Sequence, residues 1–366
     1  MVDAPTFIVN DPPAILSEVV ELYQQITGRV LQPAQIERLL LGAYAYRESI
    51  LREQVQAAAT QNLVAFAAAP ALDYLGELVG VYRLAASPAL CTLEFTLVDG
   101  HTGVVIPANT RVASGDGKVY FSTVENVTVP SGETTATVEA IAFPEGTIGN
   151  GYTAGEIKTI LDPQAFITAA ENTTATNGGA DAETDEQLRA RILLAPGSFS
   201  TAGSRQAYVF HAKTASQTII DVAVVQLNPG EVGIYPFTGT LPTSAEILNL
   251  VAAACSDEKV RPLTDTVTVL TPTAVNYDVD IQLVTFEAAD QVATLAAAQQ
   301  AVDAYIAEKG SLLGQDITMS QLIAVAQVDG VYSVTLADPT ADVVVAATEV
   351  SVVGTVSVTI IDTTNG

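Results

Sequence analysis

The sequence predicts a multidomain α+β protein, with a helical N-terminal region, a central β-rich domain and C-terminal α+β modules. Three observations carry that expectation. Apolar residues recur at steps of three or four as far as Tyr82, the period drops to two from Leu90, and beyond a glycine turn at Asn177-Gly178-Gly179 helical and strand patterns alternate. At 366 residues the chain is long enough for several cores, since single domains rarely exceed about 250 residues. The shifts in pattern place domains at 1–88, 89–176, 177–264 and 265–366.

In the first region, Pro12-Pro13 precede Ile15, Val19, Leu22, Ile26 and Val30, whose spacing predicts an amphipathic helix. Gly28 and Pro33 predict a break. A second, longer helix carries Ile36, Leu40, Ala43, Tyr46 and Ile50, continued by the alanine-rich run 57–69, and a short third helix holds Leu72, Leu75, Leu78, Val79 and Tyr82. Little else in the region can cover these stripes. Ile15, Val19, Leu22 and Ile26 are therefore the expected contacts of an intermolecular helix bundle.

Between Leu90 and about Ile160, the runs CTLEFTLV, TGVVIP, TRVAS, KVYFSTV and TATVEAIAF predict strands, and Asp116-Gly117 predicts a hairpin turn. Helices are expected at 202–215, 243–256, 288–308 and 319–327, and strands at 219–227, 232–237, 265–270, 275–285 and 331–336. Tyr277, Val279, Ile281 and Leu283 alternate with Asp278, Asp280 and Gln282, so one face of that strand should be buried and the other wet. The tail 343–361 is rich in Val, Ile and Thr, and no Lys or Arg follows Lys309. Such a segment needs a neighbouring strand, its own sheet being expected ahead of another subunit.

The stretch 177–195 joins the two halves. Its glycines accept positive φ and let the chain reverse. Thr184 stands at a helix N-cap, with Gln187 as its capping-box partner and Asp185 and Glu186 at the positive helix end. Leu188, Ile192 and Leu193 follow at helical spacing. Arg189 and Arg191 fall in mid-helix, able to pair with a carboxylate of a partner or of the chain itself, and complete the set of interface candidates.

Composition narrows the function. With 15 basic and 41 acidic residues the net charge is −26, which opposes binding to a phosphate backbone that basic side chains must neutralise; no nucleic-acid partner is expected. Hydrophobic residues make up 49% of the chain, so the charge does not indicate disorder. The N-terminus lacks the basic start and apolar run of a secretory signal, predicting cytoplasmic synthesis. The uncharged run 54–72 is interrupted by polar residues and Pro70, and reads as a packed helix; no membrane insertion is expected. Two distant cysteines, Cys91 and Cys255, offer no disulfide framework.

A search for chemistry finds no cluster. His101 reads as a turn residue and His211 as a structural one, in different predicted domains. There is no P-loop, and Gly146, Gly149 and Gly151 lack the strand-then-helix context of a dinucleotide site. Asp181, Glu183 and Asp185 alternate like the first ligands of a calcium loop, but Glu186 replaces the glycine and Ile192 the final glutamate that such a loop requires. No nucleophile elbow occurs, and no feature selects a carboxylate pair. No enzyme, cofactor or metal is expected.

Gly178-Gly179-Ala180-Asp181, with Glu183, Asp185, Glu186, Leu188, Arg189 and Arg191, resembles the signature of the baseplate J-like family, the wedge proteins of contractile phage tails. Further pieces are similar and in the same order: Ala71-Leu72-Asp73-Tyr74-Leu75-Gly76 with Gly80 and Arg83; Ile106-Pro107-Ala108-Asn109-Thr110-Arg111-Val112 with Tyr120-Phe121-Ser122-Thr123; Gly146, Asn150 and Gly155; Thr201-Ala202-Gly203-Ser204 with Tyr208; Pro229-Gly230-Glu231-Val232; and Arg261-Pro262-Leu263-Thr264-Asp265. Asn109 stands where the family more often has glycine. The resemblance implies a structural baseplate wedge component, part of a virion tail or related injection particle assembled in the bacterial host cytoplasm. It implies partners too: copies of itself, paired through C-terminal domains in a ring around the hub, and other wedge and hub proteins that meet the N-terminal helices. A tail adhesin or receptor-binding component is the alternative, favoured by the acidic, valine- and threonine-rich strands and opposed by the long helices.

Overall fold

The structure, a computed structural model, describes residues 3–198, 204–257, 260–262 and 264–365. The helix start expected at residue 202, the motif residues Thr201, Ala202 and Gly203, and Leu263 lie outside the described residues. The chain divides into two compact units, Met1–Arg83 with Thr184–Leu193, and Leu84–Glu183 with Leu194–Gly366. The fold is multidomain α+β, as the sequence predicts.

The first unit is helical. In α1 (Pro12–Thr27) the Asp11 carboxylate accepts from Ala14 N–H, and Gly28, at φ 65°, ends the helix in the left-handed region that glycine adopts cheaply. α2 (Ile36–Thr60) stops before the alanine-rich run does. There Asn62 Nδ2 donates to the carbonyl oxygens of Ala58 and Ala59, and Gln61 Oε1 accepts from Ala68 N–H at 2.9 Å, so side chains replace the next helical turn and residues 61–69 form turns instead. α3 (Ala71–Glu77) is shorter than expected; Val79 and Val81 both return their N–H groups to Gly76 O, and Gly80 turns at φ 73°. The N-terminal segment is strapped to α2 by Gln56, which accepts from Phe7 N–H and donates to Pro5 O, and by Arg52, which donates to Val9 O.

In the second unit, β1 (Leu90–Leu97), β3 (Arg111–Ser114), β4 (Tyr120–Thr123), β6 (Thr135–Phe143), β7 (Ile157–Ile160) and β8 (Ile167–Asn172) form one sheet in the order β7-β3-β4-β6-β1-β8. β2 (Val104–Ile106) and β5 (Val127–Val129) pair beside it. The expected hairpin joins β3 to β4, with Gly117 at φ 69°. The sheet curls into a near-barrel, and Asn172, 1% exposed, closes it. Its Oδ1 accepts from Ile157 N–H on β7, and its Nδ2 donates to Thr153 O and Thr174 O. Leu93, Phe95, Ile106, Val112, Phe121 and Ile157 fill the interior. β5, β7 and β8 are not anticipated by the sequence reading, because they are short and their exposed positions are polar or glycine-bounded.

His101 follows the turn at Asp99-Gly100. It is 3% exposed, with Nε2 2.7 Å from Glu133 O and Nδ1 accepting from Gly103 N–H, so it staples two loops of the barrel. On the surface, Arg111 donates to Asp162, and that pairing holds the Asp162 carboxyl down at about 2. Ser114 Oγ and Lys118 N–H likewise hold Asp116 at about 2. Folded values below the usual carboxylate range of about 4 contribute stability that is present above about pH 4 and lost as pH falls toward about 2. Thermal unfolding across that window should show melting temperature falling with pH, with a shallower slope in Asp162→Asn.

Beyond the barrel, β9 (Asp221–Asn228), β10 (Glu231–Phe237) and β11 (Thr266–Val269) form a sheet in the order β11-β10-β9. α5 (Arg205–Ala215) and α6 (Ala245–Ser256) contribute Tyr208, Ala212, Ile247 and Val251 to its core. The last module holds β12 (Thr273–Phe286), β13 (Val331–Asp338) and β14 (Glu349–Thr364) in the order β13-β12-β14, with α7 (Gln291–Gly310) and α8 (Met319–Ala326) supplying Ala298, Val302, Tyr305 and Leu322 to the core. Tyr277, Val279, Ile281 and Leu283 are buried, while Asp278 is exposed and Asp280 and Gln282 are half-buried. The apolar tail pairs in its own sheet, parallel to β12.

Candidate functional site

The sequence leaves two places to look: the helical arm and the helix that opens the second half. In the arm, α1 lies against α2, and small residues decide how closely. Ala45 and Ser49, four apart, are the buried residues of α2, and Ile15 and Val20 are those of α1. Short side chains on one helix admit long ones from the other. Several other apolar residues point away. Ile36, Leu40, Tyr44, Leu51 and Val55 are between 52% and 73% exposed. Their spacing of four, four, seven and four keeps them on one face of α2. Leu22 and Ile26 are 56% and 76% exposed on α1.

The four α1 candidates thus separate. Ile15 is turned inward at 3% exposure, Val19 is half-buried, and Leu22 and Ile26 remain accessible. A spacing of four, three and four keeps all four within about 60° of one another on one side of α1, so they differ by position along the helix: Ile15, near its start, is covered, and Leu22 and Ile26, near its end, are not. The larger stripe on α2 is missed by the sequence reading as a surface. Its signal was available, since apolar residues occupy two faces of that helix and one partner helix covers only one.

The helix α4 (Asp185–Ser198) begins with the expected capping box: Gln187 N–H donates to Thr184 Oγ1 and Thr184 N–H donates to Gln187 Oε1. Leu188 and Ile192 are buried, whereas Leu193 is 66% exposed. Asp185 accepts from Arg83, which also pairs with Asp73 at 2.7 Å, and from Ala69 N–H. Arg83 lowers the Asp185 carboxyl, and Asp73, then Asp185, raise the Arg83 guanidinium. Arg189 donates to Val64 O and Ala67 O and pairs with Glu186, and Arg191, 4% exposed, donates to Tyr82 O. Both arginines therefore hold loop carbonyls of their own unit. The reason is local: the turns at 61–69 and 78–82 leave carbonyl oxygens without helical donors, and a guanidinium supplies several N–H groups at once. Arg191→Ala should lower unfolding stability by about 1–3 kcal/mol, because a buried guanidinium and its hydrogen bond to Tyr82 O are lost together. Chemical denaturation measures this, and assembly should be unchanged.

The carboxylates that resemble calcium ligands diverge. Asp181 accepts from Thr147, Glu183 from Leu84 N–H, and Asp185 from Arg83. Among the described residues no group of three or more His, Cys, Asp or Glu is placed to hold a metal ion. Cys91 and Cys255 are buried, and burial pushes each thiol up to about 12, away from the thiolate form that reacts. No described helix is long and apolar enough to cross a membrane.

Four family models match in succession along the chain: the baseplate J-like N-terminal domain over 38–89, the barrel domain over 92–179, the central domain over 200–271 and the C-terminal domain over 277–359. The chain belongs to the baseplate J-like family. Baseplate protein J of Escherichia phage P2 is 34% identical over 187 residues, which are 50% of this chain and 62% of that protein. The match thus spans less than two thirds of its relative. Among solved structures, the cryo-EM structure of the anti-feeding prophage (AFP) baseplate, 6-fold symmetrised, aligns over 93% of this chain and 90% of the other at 16% identity and a TM-score of 0.48. In this baseplate J-like chain, α2 falls within the N-terminal domain match except for its first two residues, and the six-stranded near-barrel within the barrel match except for the first two residues of β1.

Proposed function

We propose that this chain is a structural, non-enzymatic component of the baseplate of a contractile tail or related injection particle. It acts as a wedge protein, and its helical arm bundles with helices of neighbouring wedge proteins. The observation that carries this reading is the stripe Ile36, Leu40, Tyr44, Leu51 and Val55, each more than half exposed along one face of α2. A monomer keeps few contiguous apolar surfaces of that kind, and a helix laid along the stripe removes it from water. Leu22 and Ile26 extend the surface to the second helix of the arm. Family membership supports the same reading, and so does the name of the phage P2 relative.

In this function the C-terminal modules meet other copies of the chain, closing a ring around the hub. The net charge of −26 suits protein partners better than nucleic acid. The particle is put together in the host cytoplasm. Native mass spectrometry of the complex purified after co-expression with the products of neighbouring genes tests the proposal. A defined assembly with more than one copy of this chain and a helical partner is the expected result. A lone monomer, or a trimer without partners, would overturn it in favour of an adhesin.

A further inference from the structure

β14 is the longest strand among the described residues, and one of its edges is paired with another strand. It pairs with β12 from Glu349 to Thr364, and no described strand lies on its other side. Gly314 N–H covers Glu349 O at the start of that outer edge, but between Val352 and Ile361 no described backbone group is bonded to it. Proteins usually blunt such an edge with lysine, proline or a covering element. β14 contains no Lys, Arg or Pro. It carries register shifts at Gly354-Thr355 and at Ile361, which leave Val356–Ile360 as an uninterrupted ladder.

A groove of about 580 Å³ opens beside the same strand. It touches four consecutive residues, Val350, Ser351, Val352 and Val353. Because neighbouring strand residues point to opposite faces, a cavity that meets four in a row lies along the edge. Phe237 and Ile306 line it with apolar surface. Ser351 is 4% exposed, and its Oγ has no hydrogen-bond partner. Buried polar groups are normally paired, so a hydroxyl left unpaired on a groove is a place for an incoming group.

Charge selects the occupant. No basic residue follows Lys309, while within β14 Glu349 and Asp362 stand on either side of the ladder Val356–Ile360 and Asp278 is exposed on β12 beside it. A second copy would bring the same acidic flanks and nothing to neutralise them. The geometry points to an extended, β-branched segment of a different polypeptide, flanked by basic residues, which adds to β14 as a fourth strand and places an apolar side chain in the groove. This interaction is independent of the helical arm, so it stands or falls separately from the proposed bundle.

The test uses the full chain and two synthetic peptides of equal charge, Lys-Val-Thr-Val-Thr-Val-Lys and its proline counterpart Lys-Val-Thr-Pro-Thr-Val-Lys, with amide hydrogen exchange and calorimetry as readouts. The first peptide should bind and slow exchange across Val356–Ile360 by roughly tenfold or more, the proline peptide should not, and Val352→Asp or Thr359→Lys should abolish the difference. Circular dichroism checks that both variants stay folded. Equal binding of the two peptides would reduce the effect to charge attraction and overturn the proposal, as would no binding. Protection of the same amides that grows with protein concentration without peptide would assign the edge to a second copy and overturn it too.

Discussion

Replacing Leu40 and Leu51 by aspartate is expected to abolish co-purification with helical baseplate partners while leaving the chain folded. Both side chains are more than half exposed, 58% and 57%, so they contribute little to the stability of the arm itself. Surface changes away from special contacts usually fall within about 0.5 kcal/mol. In a bundle the two leucines would each gain roughly 1.5–3 kcal/mol on burial. Losing both costs about 3–6 kcal/mol, a drop in affinity of roughly two to four orders of magnitude, before the penalty of burying two carboxylates is added. Native mass spectrometry measures the loss, and circular dichroism melts show whether the fold is kept. A double variant that still assembles would remove the arm from the interface.

Gly179→Ala should destabilise the barrel unit by about 3 kcal/mol or more, the upper range of steric overpacking. The position is confined by backbone. A Cβ there would collide with Gly146 O and lie 2.9 Å from Asn150 Oδ1 and 3.0 Å from Ala89 N. None of these is the loose end of a long side chain. The same glycine exchanges two hydrogen bonds with Asn150, its N–H donating to Oδ1 and its carbonyl accepting from Nδ2 at 2.7 Å, so displacement disturbs those as well. Gly178→Ala acts differently, through its φ of 82°, where any Cβ is strained whatever the space. Urea denaturation of both variants separates the two causes. A melt of Gly179→Ala equal to the parent would mean that the loop at 146–150 can move aside.

These positions also show how far the sequence could be read. The chain reversal at Asn177-Gly178-Gly179 and the cap at Thr184 were legible, because each depends on residue types with narrow local roles. The second glycine was not: it is required by what comes near it, and that nearness is set by residues thirty to ninety positions away. The tail strand was legible as a strand in need of a neighbour, since composition alone carries that. The arm was legible as helices but not as surfaces. Periodicity puts Ile15, Leu22 and Ile26 on one stripe of α1, yet only packing decides how much of its length is covered, and so Ile15 is buried while Leu22 and Ile26 are exposed. Arg189 and Arg191 illustrate the same limit. Their charge suggested carboxylate partners, and their main role is to hold carbonyls freed by turns that follow the end of α2 and of α3.

The order in which the arm can be finished follows from its second segment. Residues 184–193 belong to the first unit although a hundred residues of barrel separate them from Arg83. Leu188 and Ile192, both buried, come from that late segment, as do the Arg83 partner Asp185 and the two arginines that hold the loops. During synthesis the ribosome delivers α1, α2 and α3 first, and their base waits, with the side of Gly76 that Ile192 meets still uncovered, until the barrel has been made and the chain has returned. A fragment ending at Arg83 would lack those groups for good. The bare stripe on α2 and a sticky base would then be exposed together, which makes the complete chain, not the isolated arm, the form in which its partners should be sought.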